Sequence, residues 1–400
     1  MSGGFRRIAI RNYRALADVD LELRPINVFF GPNAAGKSTL LDSLWFVRDC
    51  AVRGCETASS NRSHGIGLLW DSAGEDERLS ITLGTGAVSY RLDFSFASGR
   101  LESSPAELLQ LALDGSTLLE RRRGTDSARF RYQQSHELRA VSLPEPEKLS
   151  LAVYLALEKS FEPAVRLDRL LRFLHFHHCR LFDLYKLKKF GSEAGHETWL
   201  FQRGENLFSV LRNLQGRQGA DGRYATIRGF MRESFPGFED LVLDATGPVS
   251  VYGSFVEKDH RQPIHASGAA DGYLQLLLIL TALFAESPGR DSVLLLDEPE
   301  TSLHPWALAK LAEAVKLAAS DAWGRQVFIA THSPVLMSQF DADHVIEATQ
   351  KNGATRLRRL SEIAEVQDLL QRYSVGSLYM AQEVGAQSRP DAASTPEHGE

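Results

Sequence analysis

The chain is poor in cysteine, with Cys50, Cys55 and Cys179 as its only three in 400 residues. An odd number without metal-binding spacing excludes a disulfide framework and a CxxC zinc hook, and suits a reducing compartment. Long apolar runs are also missing. The longest, Tyr273 to Ala285, falls short of the ~20 residues a membrane helix needs, so no membrane span is expected. The amino terminus opens on a basic, strand-like segment without the apolar core of a signal peptide, so a cytoplasmic location is expected. There is no excess of positive charge either: a net charge of −6 and a pI near 6.1 exclude a broad electrostatic coat for DNA and leave room only for a local basic groove. Heptads are not sustained, which excludes a long coiled coil. The 43% apolar content still buries a sizeable core, enough for one head and an inserted lobe.

What is present is a phosphate-binding loop. Gly31, Pro32, Asn33, Ala34, Ala35, Gly36, Lys37, Ser38 and Thr39 follow an apolar strand, Ile26 to Phe30, and precede a helix opening near Lys37. A triphosphate needs many donors at once, and such a loop turns successive backbone N–H groups onto it. Gly31 and Gly36 supply the backbone freedom. Lys37 is expected to reach the β- and γ-phosphates, and the Ser38 hydroxyl to sit on Mg²⁺, which prefers oxygen ligands shared with the nucleotide. ATP and Mg²⁺ are the expected cofactors.

The second half of the chain narrows the class. Val293 to Asp297 reads as a buried parallel strand ending in Asp297 and Glu298. Ligands gather at the carboxyl ends of such strands. Asp297 is expected to hold the metal through its water shell, and Glu298 to orient the attacking water. After a turn and a helix begun by Pro305, the strand Gln326 to Ala330 ends at Thr331-His332-Ser333, about one strand-helix-strand unit later. His332 can therefore stand beside the same phosphate. Upstream, Ser267 to Gln275 leads into an apolar helix, Leu276 to Phe284, whose positive N-terminal end suits a γ-phosphate. An Asp-Gly loop before a core helix explains this segment equally well.

With these four elements in order, the chain resembles the ABC-type ATPases of the RecF, SMC and OLD group, especially their small bacterial AAA-like members. The resemblance runs from Phe5 to about Tyr379. It includes the opening Ile8-Ala-Ile-Arg-Asn-Tyr-Arg, the Asp271-Gly272 signature, the contact loop Glu300 to Pro305 and the motif His175-Phe-His. It implies an α/β P-loop head that dimerises around two ATP molecules, the signature of one protomer closing on the phosphate of the other, with Glu298, His332 and Lys37 catalytic. It also implies a DNA-linked role in repair or anti-phage defence that controls a separate effector, a nuclease or toxin. Two positions depart from the pattern. Ala270 stands where the signature usually has serine when the following helix sets the register. The alternative register, with Ser267 and Gly268 as the signature, would put Asp271 and Gly272 inside the helix, where glycine is unfavourable by about 1 kcal/mol against alanine, so the first is preferred. No glutamine identifies itself as the residue that watches Mg²⁺. A nucleotide-gated scaffold with little turnover is the competing reading.

More than half of the chain separates Lys37 from Asp271, far more than in a transporter's ATP-binding subunit. The organisation expected is an N-terminal ATPase lobe with an antiparallel β subdomain over residues 1–140, an inserted helical lid lobe over 141–265 and a C-terminal ATPase lobe over 266–385. A disordered tail over 386–400, rich in Ala, Ser, Pro and charge, completes it. Within this plan Leu79 to Tyr132 reads as antiparallel strands, Leu149 to Leu174 and Leu207 to Ser234 as helices, and Leu241 to Ile264 as a strand pair. Alternation sends His175 and His177 to one strand face and His178 to the other, so a structural strand is the reading preferred over a metal cluster. Arg121 to Arg123 with Arg129 and Arg131, and Lys186 with Lys188 and Lys189, are candidates for phosphate contact, though such runs are usually solvated faces. Asp341 and Asp343 invite comparison with a Toprim metal pair, but the stretch after them is too short for that domain and reads as a loop before the strand Val345 to Ala348.

Overall fold

The computed structural model describes residues 3–74, 76–132, 137–217, 222–247, 249–285, 291–364 and 377. The tail expected over 386–400 lies outside the described residues.

The apolar runs pair as a six-stranded sheet. Its order is Leu174–His178 (the histidine strand), Ser292–Asp297 (the carboxylate strand), Arg325–Thr331 (the switch strand), Ile26–Phe30 (the loop strand), Val345–Lys351 and Ala354–Arg359. The first five run parallel and only the last is antiparallel to its neighbour. A parallel sheet is covered on both faces, so its strands are apolar at successive positions and not at alternate ones. Val28 and Phe30 accordingly join one core and Phe29 the other. On the first side lie the helices Asp271–Phe284 (the signature helix), Pro305–Ala318, Leu207–Gln215 and Arg223–Ser234. On the second lies Lys37–Arg53 (the loop helix), which carries Leu40, Leu41 and Leu44 into the core.

The loop helix is roofed by an eight-stranded antiparallel sheet. Its strands are Arg7–Tyr13, Leu16–Glu22, Leu79–Gly84, Val88–Phe94, Ala106–Leu111, Thr117–Arg121, Ser127–Arg131 and Leu138–Ser142. Phe46 of the loop helix meets Phe94 of the roof at a ring separation of 5.1 Å. The expected β region is thus joined by the opening pair of strands and by Leu138–Ser142. One member of the basic run points inward: the Arg121 side chain is fully buried and donates to Glu107 at 3.2 Å. Glu107 is also held by Tyr90 Oη at 2.6 Å and by Ser150 N at 2.8 Å. An ion pair desolvated to this degree is tolerated only with such further hydrogen bonds, so Arg121 serves the core and offers nothing to a nucleic acid.

Leu151–Leu157 and Glu162–Arg172 are helices, but Leu174 begins the histidine strand, so the segment 141–265 returns to the main sheet before it continues into a smaller antiparallel sheet. That smaller sheet pairs Phe238–Ala245 with Ser250–Glu257, flanked by Ser192–Glu193 and Ile264–His265. Among the described residues no helix is long and apolar enough to cross a membrane.

Candidate nucleotide-binding and catalytic site

The loop strand ends at Phe30 and its backbone turns through left-handed conformations at Gly31 (φ 149°), Ala34 (φ 63°) and Gly36 (φ 91°). A β-carbon at Gly31 would lie 2.0 Å from the Ala348 carbonyl oxygen, so glycine is required there by contact as well as by backbone. The loop delivers Lys37 and Ser38 to the first turn of the loop helix. Lys37 Nζ donates to the carbonyls of Gly31 and Pro32, each at 2.8 Å. Its ammonium group is buried, and burial lowers its pKa to about 8 against the opposing attraction of Asp297, Glu298 and Glu300.

Strand ends bring the other groups to it. Ser38 Oγ donates to Asp297 Oδ1 at 2.9 Å, giving a pair of hard oxygen donors that fits Mg²⁺, an ion that takes its remaining ligands from phosphate and water. Glu298 follows in a left-handed conformation (φ 53°), with its N–H donating to the Ala330 carbonyl at 2.8 Å. His332 caps the switch strand. Burial and the neighbouring Lys37 lower its pKa, which leaves a neutral imidazole with Nδ1 3.4 Å from Lys37 Nζ and Nε2 3.5 Å from Glu298 Oε1. Its backbone is fixed by Glu300, whose Oε1 accepts the His332 N–H at 2.7 Å. Burial raises the Glu300 pKa. Lys37, Ser38, Asp297, Glu298 and His332 therefore form one connected constellation, built from the ends of three adjacent parallel strands.

Asp271 and Gly272 make their contacts elsewhere. Lys188 Nζ donates to Asp271 Oδ1 at 2.5 Å and to the Ala269 carbonyl at 2.8 Å. The signature helix opens at Asp271, five residues before the expected Leu276, so Gly272 lies inside its first turn. Helix propensity alone favours alanine there by about 1 kcal/mol. Packing decides otherwise, because a β-carbon on Gly272 would lie 2.8 Å from the Ser302 carbonyl oxygen. Gly272→Ala is expected to lower stability by about 1–2 kcal/mol net of the propensity gain, read as a lower denaturation midpoint. An unchanged or higher midpoint would show that the Ser302 loop yields freely.

Sequence reasoning missed two residues, one at the end of the histidine strand and one in the turn just past it. His178 Nδ1 stands 3.0 Å from Asp297 Oδ2, so a histidine and not a glutamine meets this carboxylate, and Arg180 Nε stands 2.5 Å from Glu298 Oε2. The signal available was a histidine-rich end on an apolar strand. Its neighbour was hidden, because the pairing of His178 with Asp297 arises from parallel register across more than a hundred residues. His177, on the opposite face, is buried, and its Nδ1–H donates to the Gln202 carbonyl at 3.1 Å. Beside His178 a cavity of about 650 Å³ runs along the loop helix past Asp42, Trp45, Arg14 and Arg62. Among the described residues no group of three or more His, Cys, Asp and Glu is arranged to hold a metal.

Burial lowers the His177 pKa from 6.5 to about 3. The unfolded chain then binds a proton near pH 6.5 that the folded chain refuses, so stability falls as pH drops through and below 6.5. The loss attributable to His177 should reach about 2 kcal/mol by about pH 5. Chemical denaturation at both pH values should show this slope flattened in His177→Gln. An equal slope in both proteins would assign the acid sensitivity to other groups.

A phosphate loop, a strand-end Asp-Glu pair and a strand-end histidine, set on a parallel sheet under a large antiparallel one, define an ABC-type ATPase of the RecF, SMC and OLD class. The chain belongs to the family described as AAA domain, putative AbiEii toxin, Type IV TA system, whose model matches residues 26–338. It is similar to Endonuclease GajA of Bacillus cereus (strain VD045), 21% identical over 367 residues, covering 86% of this chain and 57% of the relative. It is also similar to DNA replication and repair protein RecF of Bacteroides fragilis (strain YCH46), 40% identical over 60 residues, covering 15% of this chain and 16% of the relative. An OLD nuclease of Thermus scotoductus is 44% identical over 42 residues, covering 10% of this chain and 8% of the relative. The chain thus spans no more than 57% of the length of these curated relatives. Among solved structures, an SmcHead bound to the C-winged helix domain of ScpA shares the fold, with a TM-score of 0.53 at 12% identity, covering 89% of this chain and 97% of that one.

Proposed function

We propose that this chain binds ATP with Mg²⁺ and hydrolyses it to ADP and phosphate in a head-to-head pair of protomers, using the cycle to open and close that pair. The observation that carries this reading is the convergence of Lys37, Ser38, Asp297, Glu298 and His332 on one point. Lys37 already donates to two carbonyls of its own loop, and incoming phosphate oxygens would take over those hydrogen bonds with full charge assistance. Ser38 and Asp297 would hold Mg²⁺, which when bound neutralises charge on the phosphates. Glu298 would accept a hydrogen bond from the attacking water and orient it, and neutral His332 would donate to the γ-phosphate as charge builds there. The Gly272–Ser302 contact would join the signature to the loop that meets the partner.

The relatives named for DNA replication and repair and for nuclease activity support a DNA-linked role, which we read as repair or anti-phage defence exerted through a separate effector, a nuclease or toxin. Steady-state ATP hydrolysis with and without linear duplex DNA tests this. Turnover that DNA raises supports the DNA-linked reading, and turnover indifferent to DNA removes that link. One observation favours the second reading, a nucleotide-gated scaffold with little turnover. Ala270 is the N-cap of the signature helix, and its methyl side chain offers no hydroxyl to a partner's phosphate. Tight ATP binding with negligible turnover, and a partner protein captured only in the ATP state, would select the scaffold.

A further inference from the structure

The residues just past the histidine strand are not used by the hydrolytic scheme above, yet they reach its most important carboxylate. Arg180 Nε meets Glu298 Oε2 at 2.5 Å, while His332 approaches the other oxygen at 3.5 Å. The carboxylate is therefore bracketed, one oxygen by a guanidinium and the other by a neutral imidazole. Arg180 is 70% exposed at its side chain and Glu298 only 21%. An exposed pair of this kind adds little to stability. Its partner, however, sits on a backbone held in a left-handed conformation with its N–H fixed to Ala330, so only the side-chain torsions of Glu298 remain to be set.

The turn that carries Arg180 is itself anchored from inside the protein. Gln275, 2% exposed on the signature helix, donates its Nε2–H to the Cys179 carbonyl at 2.8 Å. A buried amide whose partner was lost would stay unsatisfied, so this hydrogen bond ties the Cys179–Arg180 backbone firmly to that helix. The same helix begins at Asp271 and Gly272. A continuous path thus runs from the signature helix through the Gln275 hydrogen bond to the Cys179 carbonyl, along the peptide link to Arg180 and across one ion pair to Glu298.

We infer that Arg180 is a positioning residue for Glu298, holding its carboxylate in the orientation that engages water, and that Gln275 makes this hold depend on the placement of the signature helix. The inference rests on the ATPase reading and adds a link between the surface that closes on the partner and the carboxylate of the protomer's own site. A planar guanidinium suits the task, since it fixes direction where an ammonium supplies only a point of charge.

The test measures ATP turnover, nucleotide affinity and melting temperature of the full chain for the wild type, Arg180→Ala, Arg180→Lys and Gln275→Leu. In Arg180→Ala, kcat is expected to fall about 100-fold with nucleotide affinity and melting temperature unchanged. Arg180→Lys should recover only part of the loss, and guanidinium ion at millimolar concentration should restore part of the turnover of Arg180→Ala. Gln275→Leu should lower kcat in the same direction, and the Arg180→Ala/Gln275→Leu double variant should be no slower than Arg180→Ala alone, as for two residues on one path. Arg180→Ala carries the test even if the buried Gln275 variant does not fold. Wild-type or raised kcat in Arg180→Ala overturns the inference and leaves the ATPase reading standing. A wild-type chain that binds ATP without turning it over overturns both.

Discussion

Glu298→Gln should bind ATP as tightly as the wild type and lose about 1000-fold in turnover. The substitution keeps the size of the side chain and one acceptor oxygen, so the packing against His332 and the strained backbone of Glu298 should survive. It removes the negative charge that draws on Arg180 at 2.5 Å and that would orient and polarise the attacking water. On the proposed scheme, ground-state binding would rest on other groups, namely the loop N–H groups, Lys37, Ser38 and Asp297, so affinity and turnover should separate cleanly. Phosphate release measured beside equilibrium binding of a fluorescent ATP analogue checks both halves. The arrested variant should also accumulate as an ATP-dependent dimer in size-exclusion chromatography. Wild-type turnover would sink the role given to Glu298, and loss of binding would mean that Glu298 holds the nucleotide instead.

Lys37→Met should act in two opposite directions. ATP binding, read as nucleotide-induced thermal stabilisation, should vanish because the loop cation proposed to meet the phosphates is gone. The nucleotide-free protein should nevertheless become more stable than the wild type. Burial holds the Lys37 pKa at about 8 against an ordinary value of 10.5, so the folded chain keeps that proton less readily than the unfolded chain. The penalty is present in full below about pH 8 and is relieved as pH rises towards 10.5, since there the unfolded state binds more protons. Its upper bound is about 3 kcal/mol, and the lost hydrogen bonds to Gly31 and Pro32 reduce the net gain to about 1–2 kcal/mol. Urea denaturation from neutral to alkaline pH should show wild-type stability gaining on the variant as pH rises. A nucleotide-free variant less stable than the wild type at neutral pH would mean that the two carbonyl contacts outweigh the desolvation.

The parts of the site that could be read in advance are contiguous. The run from Gly31 to Thr39 declares itself because loop geometry, phosphate donors and the start of a helix all lie within nine successive residues, and the predicted strand Ile26–Phe30 and helix start at Lys37 are where the structure has them. Asp297, Glu298 and His332 could be read because apolar runs mark buried strands and ligands collect at their ends. Pro305 likewise opens its helix. The signature was harder. An argument from glycine's helix propensity placed the helix start too late, because the first turn of a helix makes few internal hydrogen bonds and the close Ser302 carbonyl outweighs propensity at Gly272.

The histidine cluster shows most plainly where local pattern ends. Alternation divides His177 from His178, and the structure keeps that division, with His177 buried against Gln202 and His178 on Asp297. Nothing along the chain reveals that the strand bearing them lies beside the carboxylate strand, or that Gln275 holds the Cys179 carbonyl next to Arg180. The basic run Arg121 to Arg123 carries the same lesson in reverse. Its charge suggested a surface, while pairing across the sheet with Glu107 made Arg121 part of the core.

By itself, then, the sequence determined the phosphate loop, the apolar strands of a parallel sheet and the acidic and imidazole groups at their ends, because each depends on interactions within a few residues. Tertiary structure decided which strand lies beside which, how His178, Arg180 and Glu300 surround the site, and why Gly272 must lack a side chain. Those outcomes depend on register and contact between segments far apart in the chain. There burial and hydrogen-bond satisfaction, summed over both cores, outweigh the small preferences that local sequence expresses.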